Sequence, residues 1–206
     1  MNLSAENFQA KETGRLEAFS DGVFAFAITL LVLSLKDPIS GIGGSLFQGL
    51  VGEWPAFFAF VTSFLTILIM WMNHHNMFNY IRRIDRRFMF LNGLLLLLVI
   101  LTPFTTSLVA DHILSNDART AAAVYSGALL LVALAWHVLW RHASTNHRLL
   151  GKHVTDAQAR GITRQYYVGP LFYALAFLVA LFSGLASVVV ILLIAAYYAV
   201  TTTTSR

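Results

Sequence analysis

The stretch Arg15–Leu35, RLEAFSDGVFAFAITLLVLSL, decides the fold. After Asp21 it carries no charge until Lys36-Asp37-Pro38 closes it. About 20 apolar helical residues cross a bilayer core of roughly 30 Å, and this run is long enough. The rest of the chain agrees with that reading. Only 12% of its 206 residues are charged and 57% are apolar, against about 25% and ~45–50% for soluble domains. Such a composition argues against a water-soluble globule, a disordered chain and a nucleic-acid binder. With no cysteine in the chain, disulfides, thiolate metal sites and a cysteine nucleophile are excluded.

Outward from the first run, further apolar runs cover Trp54–Asn73, Phe88–Leu108 and Ala121–Trp140. A last uncharged stretch, Tyr166–Val200, has 35 residues. As one helix it would measure about 52 Å at 1.5 Å per residue, too long for one crossing. Splitting it at Phe182-Ser183-Gly184 yields two short spans. The expectation is an all-α integral membrane protein with six transmembrane helices per chain. Residues 1–206 form a single domain with spans at about 16–35, 54–73, 88–108, 121–140, 166–182 and 184–200. Five spans, with one half of the last stretch re-entrant or flat, is the alternative. The glycine-rich loop Ile39–Glu53 precedes a helix that begins around Pro55. Six spans put 12 of the 14 lysines and arginines on one side, leaving only Lys36 and Arg119 opposite. By the positive-inside rule that side is cytoplasmic, and both termini lie there.

Asp21 sits inside the first run, where an ionisable group is costly and marks a functional site. The plainer reading is a first-turn carboxylate at the positive end of a helix dipole. Glu17 and Asp21 share a face at i,i+4, whereas Arg15 lies round the helix from Asp21. A partner for Asp21 must therefore come from another cytoplasmic helix end. Trp71, Asn73, His74, His75 and Asn76 supply indole, imidazole and amide donors there. No third histidine or chelating carboxylate stands at helical spacing from His74 and His75, so no resident metal is expected. Beyond Asp21, Phe19, Val23, Phe26, Leu30 and Leu33 form an apolar stripe with a seven-residue rhythm. Gly22, Ala25 and Thr29 form a small-residue face beside it. The stripe fits ordinary bundle packing. With several copies around an axis it would instead make a hydrophobic constriction, with Thr29 hydroxyls facing a dehydrating cation.

The pattern Arg15-x-x-x-Phe19-Ser20-Asp21, running directly into an apolar helix, resembles the signature of the transmembrane protein 175 potassium-channel family. Trp71-x-x-His74-His75 and the Leu/Thr-Pro-Phe element at Leu101–Phe104 are similar to that family too. The resemblance implies a potassium-permeable channel without a carbonyl filter loop, and no Thr-Val-Gly-Tyr-Gly segment occurs here. A single copy of the motif implies a bacterial, one-repeat member that assembles as a homotetramer, with the first helix lining a central pore. Carried over by position, the constriction falls on Phe26, with Leu30 and Leu33 continuing it, and the ion-selectivity threonine is Thr29. Permeant potassium near Thr29 is then the only metal, and no cofactor is implied. The family usually has Ile or Leu where this chain has Phe26. Arg15, Phe19, Ser20, Asp21, Trp71, His74 and His75 resemble a structural network that ties the first helix to its neighbours.

The expected function is passive, potassium-permeable flux in a bacterial plasma membrane, with no enzymatic activity. Anionic lipid is expected at the Arg82–Arg87 cluster, and nucleic acid is not a partner. The alternative is a secondary transporter of a small cation or solute. That class favours polar groups at the midplane, and no span here has a charge at its midplane. An intramembrane hydrolase would need a nucleophile–base pair, for which Ser20 with His74 or His75 is the only choice.

Overall fold

The computed structural model describes residues 3–35 and 45–204, with side chains described for 11–35 and 45–200. The Lys36-Asp37-Pro38 boundary, the start of the Ile39–Glu53 loop and Arg206 lie outside the described residues. Helix α1 covers Leu3–Leu30 and continues as a 3-10 turn, Leu31–Ser34. There follow α2 (Leu46–Gly52), α3 (Trp54–Tyr80), α4 (Arg86–Ile100), α5 (Thr102–His112), α6 (Ala118–Ser144), α7 (Asp156–Ala180) and α8 (Gly184–Thr204). Among the described residues, four stretches are long and apolar enough to cross a membrane: Lys11–Ser34, Trp54–Tyr80, Arg86–His112 and Ala118–His147. Gly184–Val200 is a shorter apolar helix.

Several helices outrun their apolar runs, for local reasons. The polar segment before Leu16 is rich in good helix formers and extends α1 back to Leu3. Helix α3 passes Asn73 because Met77 and Phe78 on its last turns are buried. Helix α7 starts at Asp156, ten residues before Tyr166, where Thr155 and Gln158 form a reciprocal capping box. The Phe88–Leu108 run is not one helix. It breaks at Leu101, because Pro103 has no N–H to donate and its ring collides with the Val99 carbonyl. Thr105 and Thr106 both donate to the Thr102 carbonyl, at 2.9 and 2.8 Å, and so steady the new first turn.

Helix α6 is central, packed against α4, α5, α7 and α8, while α1 lies against α3 and α4. The core runs through Phe24, Ile67, Met77, Phe88, Leu95, Tyr125, Leu129, Trp140 and Ile191. A hydroxyl seam crosses it. The Thr106 and Ser63 hydroxyls meet at 2.7 Å, and Ser63 meets the Tyr125 hydroxyl at 2.8 Å, linking α5, α3 and α6. Such bonds hold helices together where no water competes.

On the side expected to be cytoplasmic, the α3–α4 and α6–α7 loops are joined. Ile81 and Leu150 form an antiparallel bridge, and Gly151 donates to the Tyr80 carbonyl at 2.9 Å. Asp85 caps α4 through the Phe88 N–H at 2.7 Å. It also faces His142 at 3.0 Å and the Arg148 Nε at 3.3 Å. Burial alone would raise the Asp85 pKa. The Phe88 bond, His142 and Arg148 outweigh it and hold the carboxyl below its ordinary value.

Two predictions follow from these contacts. A Cβ on Gly184 would lie 2.4 Å from the Ala118 carbonyl oxygen, so Gly184→Ala must push α8 off α6. The expected loss is about 1–3 kcal/mol, read as a lower melting temperature in detergent. Gly161→Ala, which meets nothing within 4 Å, should not lower it. For Asp85, the depressed pKa means that its contribution is full above the ordinary 3.8 and fades as pH falls through the folded value. Asp85→Asn should therefore melt below wild type at neutral pH, and the gap should close in strong acid. A gap that stays constant with pH would contradict this account.

Candidate functional site

The polar groups of α1 meet those of α3 in a regular antiparallel arrangement. Glu17, Ser20 and Asp21 are spaced i, i+3, i+4, and so are Trp71, His74 and His75. That spacing puts each triplet on one helix face. The Trp71 indole N–H donates to Asp21 Oδ1 at 2.9 Å. Glu17 and His75 Nδ1 meet at 3.0 Å, and the His75 ring stacks on Trp71 with centroids 6.1 Å apart. Ser20 and His74 sit between these two contacts, both fully buried.

A residue of α4 joins them. Asn92, also fully buried, donates through Nδ2 to Ser20 Oγ at 2.9 Å. Its carbonyl oxygen lies 3.0 Å from His74 Nε2 and accepts from it, which sets that nitrogen as the protonated one. The Ser20 hydroxyl spends its own proton on the Leu16 carbonyl at 2.8 Å. The His74 ring is fixed by Phe78 at 4.6 Å, Phe24 at 5.2 Å and Trp136 at 5.7 Å. Asn92 was missed in the reading of the sequence. The available signal was an amide inside the third apolar run, where an unpaired side chain would be costly.

Arg15 and Phe19 stand outside this hydrogen-bond network in the single chain. Arg15 is exposed and pairs with Glu12 at 3.3 Å, and Phe19 is exposed. The same holds for the face that carries the remaining candidates. Phe24, Ala27 and Leu31 are fully buried against the bundle. Ala18, Gly22, Ala25 and Thr29 are exposed on the opposite side. Phe26 (55% exposed) and Leu33 (73% exposed) lie on the open face, whereas Leu30 and Val23 are half-buried at its edge. The Thr29 hydroxyl donates to the Phe26 carbonyl at 2.8 Å, which leaves its lone pairs directed away from the helix. Among the described residues no group of three or more His, Cys, Asp or Glu is placed to hold a metal ion.

These features define a multi-pass helical membrane protein whose first helix is bonded through one face and open along the other. Comparison with known proteins gives the family. Residues 15–103 match the model for the endosomal/lysosomal potassium channel TMEM175. A potassium channel of Chamaesiphon minutus is 46% identical over 184 residues, covering 87% of this chain and 90% of that one. A potassium channel of Streptomyces collinus is 43% identical, covering 84% of each. A crystal structure titled as a lysosomal potassium-selective channel TMEM175 homologue from Chamaesiphon minutus superposes with a TM-score of 0.86. It is 44% identical and covers 93% of this chain and 98% of that chain. This chain belongs to the TMEM175 potassium-channel family.

The anchor generates a stability prediction. Asn92→Leu leaves Ser20 and His74 without their buried partner and should cost about 1–3 kcal/mol. Adding Ser20→Ala to Asn92→Leu should cost less than the two single losses summed, because the shared bond is already gone. Strict additivity in thermal melts would show that the three side chains do not act as one unit.

Proposed function

We propose that this chain forms a passive, potassium-permeable cation channel and is not an enzyme. In this reading it is a homotetramer in a bacterial plasma membrane, each chain crossing six times as one domain with cytoplasmic termini. Helix α1 lines the central pore. The observation that carries this is the open face of α1. A helix bonded through Ser20, Asp21, Phe24, Ala27 and Leu31 exposes Gly22, Ala25, Phe26 and Thr29 on its other side. Four such faces around an axis supply both the close contacts that small residues allow and an apolar constriction. The names of the bacterial relatives support potassium as the permeant ion.

In the pore, Phe26, Leu30 and Leu33 form the constriction and Thr29 governs ion preference. Phe26 and Leu33 lie on the open face, and Leu30 reaches it from the edge. A Thr29 hydroxyl that already donates to its own helix presents acceptor lone pairs, which suits a cation shedding water. Ser20, Asp21, Trp71, His74 and His75 serve as the network that holds α1 at its pore angle, and Arg15 and Phe19, exposed in the single chain, complete it against a neighbouring chain of the tetramer. The Arg82–Arg87 cluster takes anionic lipid. A transporter would gain support from the helix break at Pro103, since broken helices build substrate sites. At that break Thr105 and Thr106 are spent on the Thr102 carbonyl and Ser63, which leaves Thr102 Oγ1 as the hydroxyl there without a partner among the described residues.

Ion flux into liposomes holding purified protein tests the proposal, with potassium, sodium and bulky-cation gradients compared. Wild type should pass potassium and exclude bulky cations. Phe26→Ala and Leu30→Ala should each raise flux severalfold, and Thr29→Ala should erode the preference for potassium over sodium. No flux from folded tetramers, wild type or variant, would sink the channel reading and favour the transporter.

A further inference from the structure

Away from α1, a cleft of about 380 Å³ opens between the start of α4 and the end of α6. Its walls are Arg87, His142, Thr145, Asn146 and Arg148. Arg87 is exposed and has no carboxylate partner among the described residues. Arg148 is engaged at Nε by Asp85, which turns its guanidinium toward a fixed direction. Asn146 adds an amide, while the Thr145 hydroxyl is spent on the Arg141 carbonyl, and two consecutive left-handed residues, Asn146 (φ 54°) and His147 (φ 51°), bend the loop around the cleft. Asp85, which contacts His142 and Arg148 of the lining, is also occupied by the Phe88 N–H. Two guanidiniums with an amide donor at one cleft suit the oxygens of a phosphate.

The helix below Arg87 says where the phosphate comes from. Phe90, Leu94 and Leu97 follow Arg87 at steps of three, four and three, on one face of α4. Phe90 is 76% exposed, Leu94 42% and Leu97 56%. From Arg87 to Leu97 is about 15 Å along the axis, about half of a hydrocarbon core of roughly 30 Å. A charged head site at the top of a one-leaflet apolar stripe has the outline of a single lipid molecule. We propose that Arg87, Arg148 and Asn146 bind the phosphate headgroup of an anionic phospholipid whose acyl chains lie along Phe90, Leu94 and Leu97. The site sharpens the lipid contact proposed above for Arg82–Arg87, and rests on it. It assigns the contact to Arg87 together with the α6–α7 loop, and not to Arg82 and Arg83.

Native mass spectrometry of the purified protein titrated with phosphatidic acid tests this without any need for conduction. Arg87→Gln and Arg148→Gln should each weaken retention of bound lipid about fivefold, and Arg82→Gln with Arg83→Gln should leave it near wild type. Arg87 is exposed and has no carboxylate partner among the described residues, so its replacement does not threaten the fold, and a melting curve checks Arg148→Gln. Phosphatidylcholine should be retained poorly. Equal losses from both arginine pairs would mean a diffuse basic surface and overturn the pocket while keeping the broader lipid contact. Loss from Arg82 and Arg83 alone would do the same. No retention of phosphatidic acid by wild type would overturn both. Inorganic phosphate alone raising the melting temperature of wild type but not of Arg87→Gln, with no lipid retained, would reassign the cleft to a soluble anion and overturn the lipid.

Discussion

Everything about the first helix depends on one constraint: its polar side chains must be hydrogen-bonded where water is scarce. A hydroxyl or amide buried without a partner costs about 1–3 kcal/mol in proteins, and an unpaired charge costs more. Ser20 and Asp21 therefore cannot be left to themselves. Trp71 and Asn92 answer them at 2.9 Å each. Because the partners stand on two different helices, satisfying these groups also fixes the position and rotation of α1. The half-turn of α1 that faces the bundle is thus chosen by hydrogen bonding at its start and by Phe24, Ala27 and Leu31 further along. What remains outside is the open face, and its chemistry follows from that choice.

The same constraint explains the interior of the bundle. The break before Pro103 frees backbone and brings Thr102, Thr105 and Thr106 into the core, where they are buried. The Thr105 and Thr106 hydroxyls bond to the Thr102 carbonyl, and Thr106 continues to Ser63 and Tyr125. An irregularity that would be costly against lipid is tolerated because the side that carries Thr102, Pro103, Thr105 and Thr106 is enclosed by protein. At the other end, Asp85 does comparable service for the loops by capping one helix while holding His142 and Arg148 of another segment.

Much of this was readable in the residues. Long uncharged runs bounded by charges mark helices, since hydrocarbon thickness fixes their length, and the turn at Phe182-Ser183-Gly184 follows from a run too long for one crossing. Asp21 advertised a need for a partner because carboxylates are rare inside such runs. Helix ends were harder to read. The polar flanks of α1 and α7 are helical for reasons of propensity and capping that hydropathy does not record. Asn92 was invisible for a different reason. One amide among leucines has no periodicity, and only the crossing of three helices shows that it sits between Ser20 and His74. The cleft likewise depends on Arg87 and Arg148, 61 residues apart in the chain, being brought together beside the bridge at Ile81 and Leu150.

The 3-10 turn at Leu31–Ser34 has a consequence of its own. An α-helix advances about 100° per residue and a 3-10 helix about 120°. Over the three steps from Leu30 to Leu33 the difference accumulates to about 60°. Heptad spacing would stack Leu33 almost above Phe26. The tighter winding instead carries it a sixth of a turn round the axis and lengthens that segment. The bearing of the last apolar side chain on α1 is therefore a property of how four residues are wound. A change of pitch confined to that turn re-aims Leu33 while every bond at Ser20 and Asp21 stays in place.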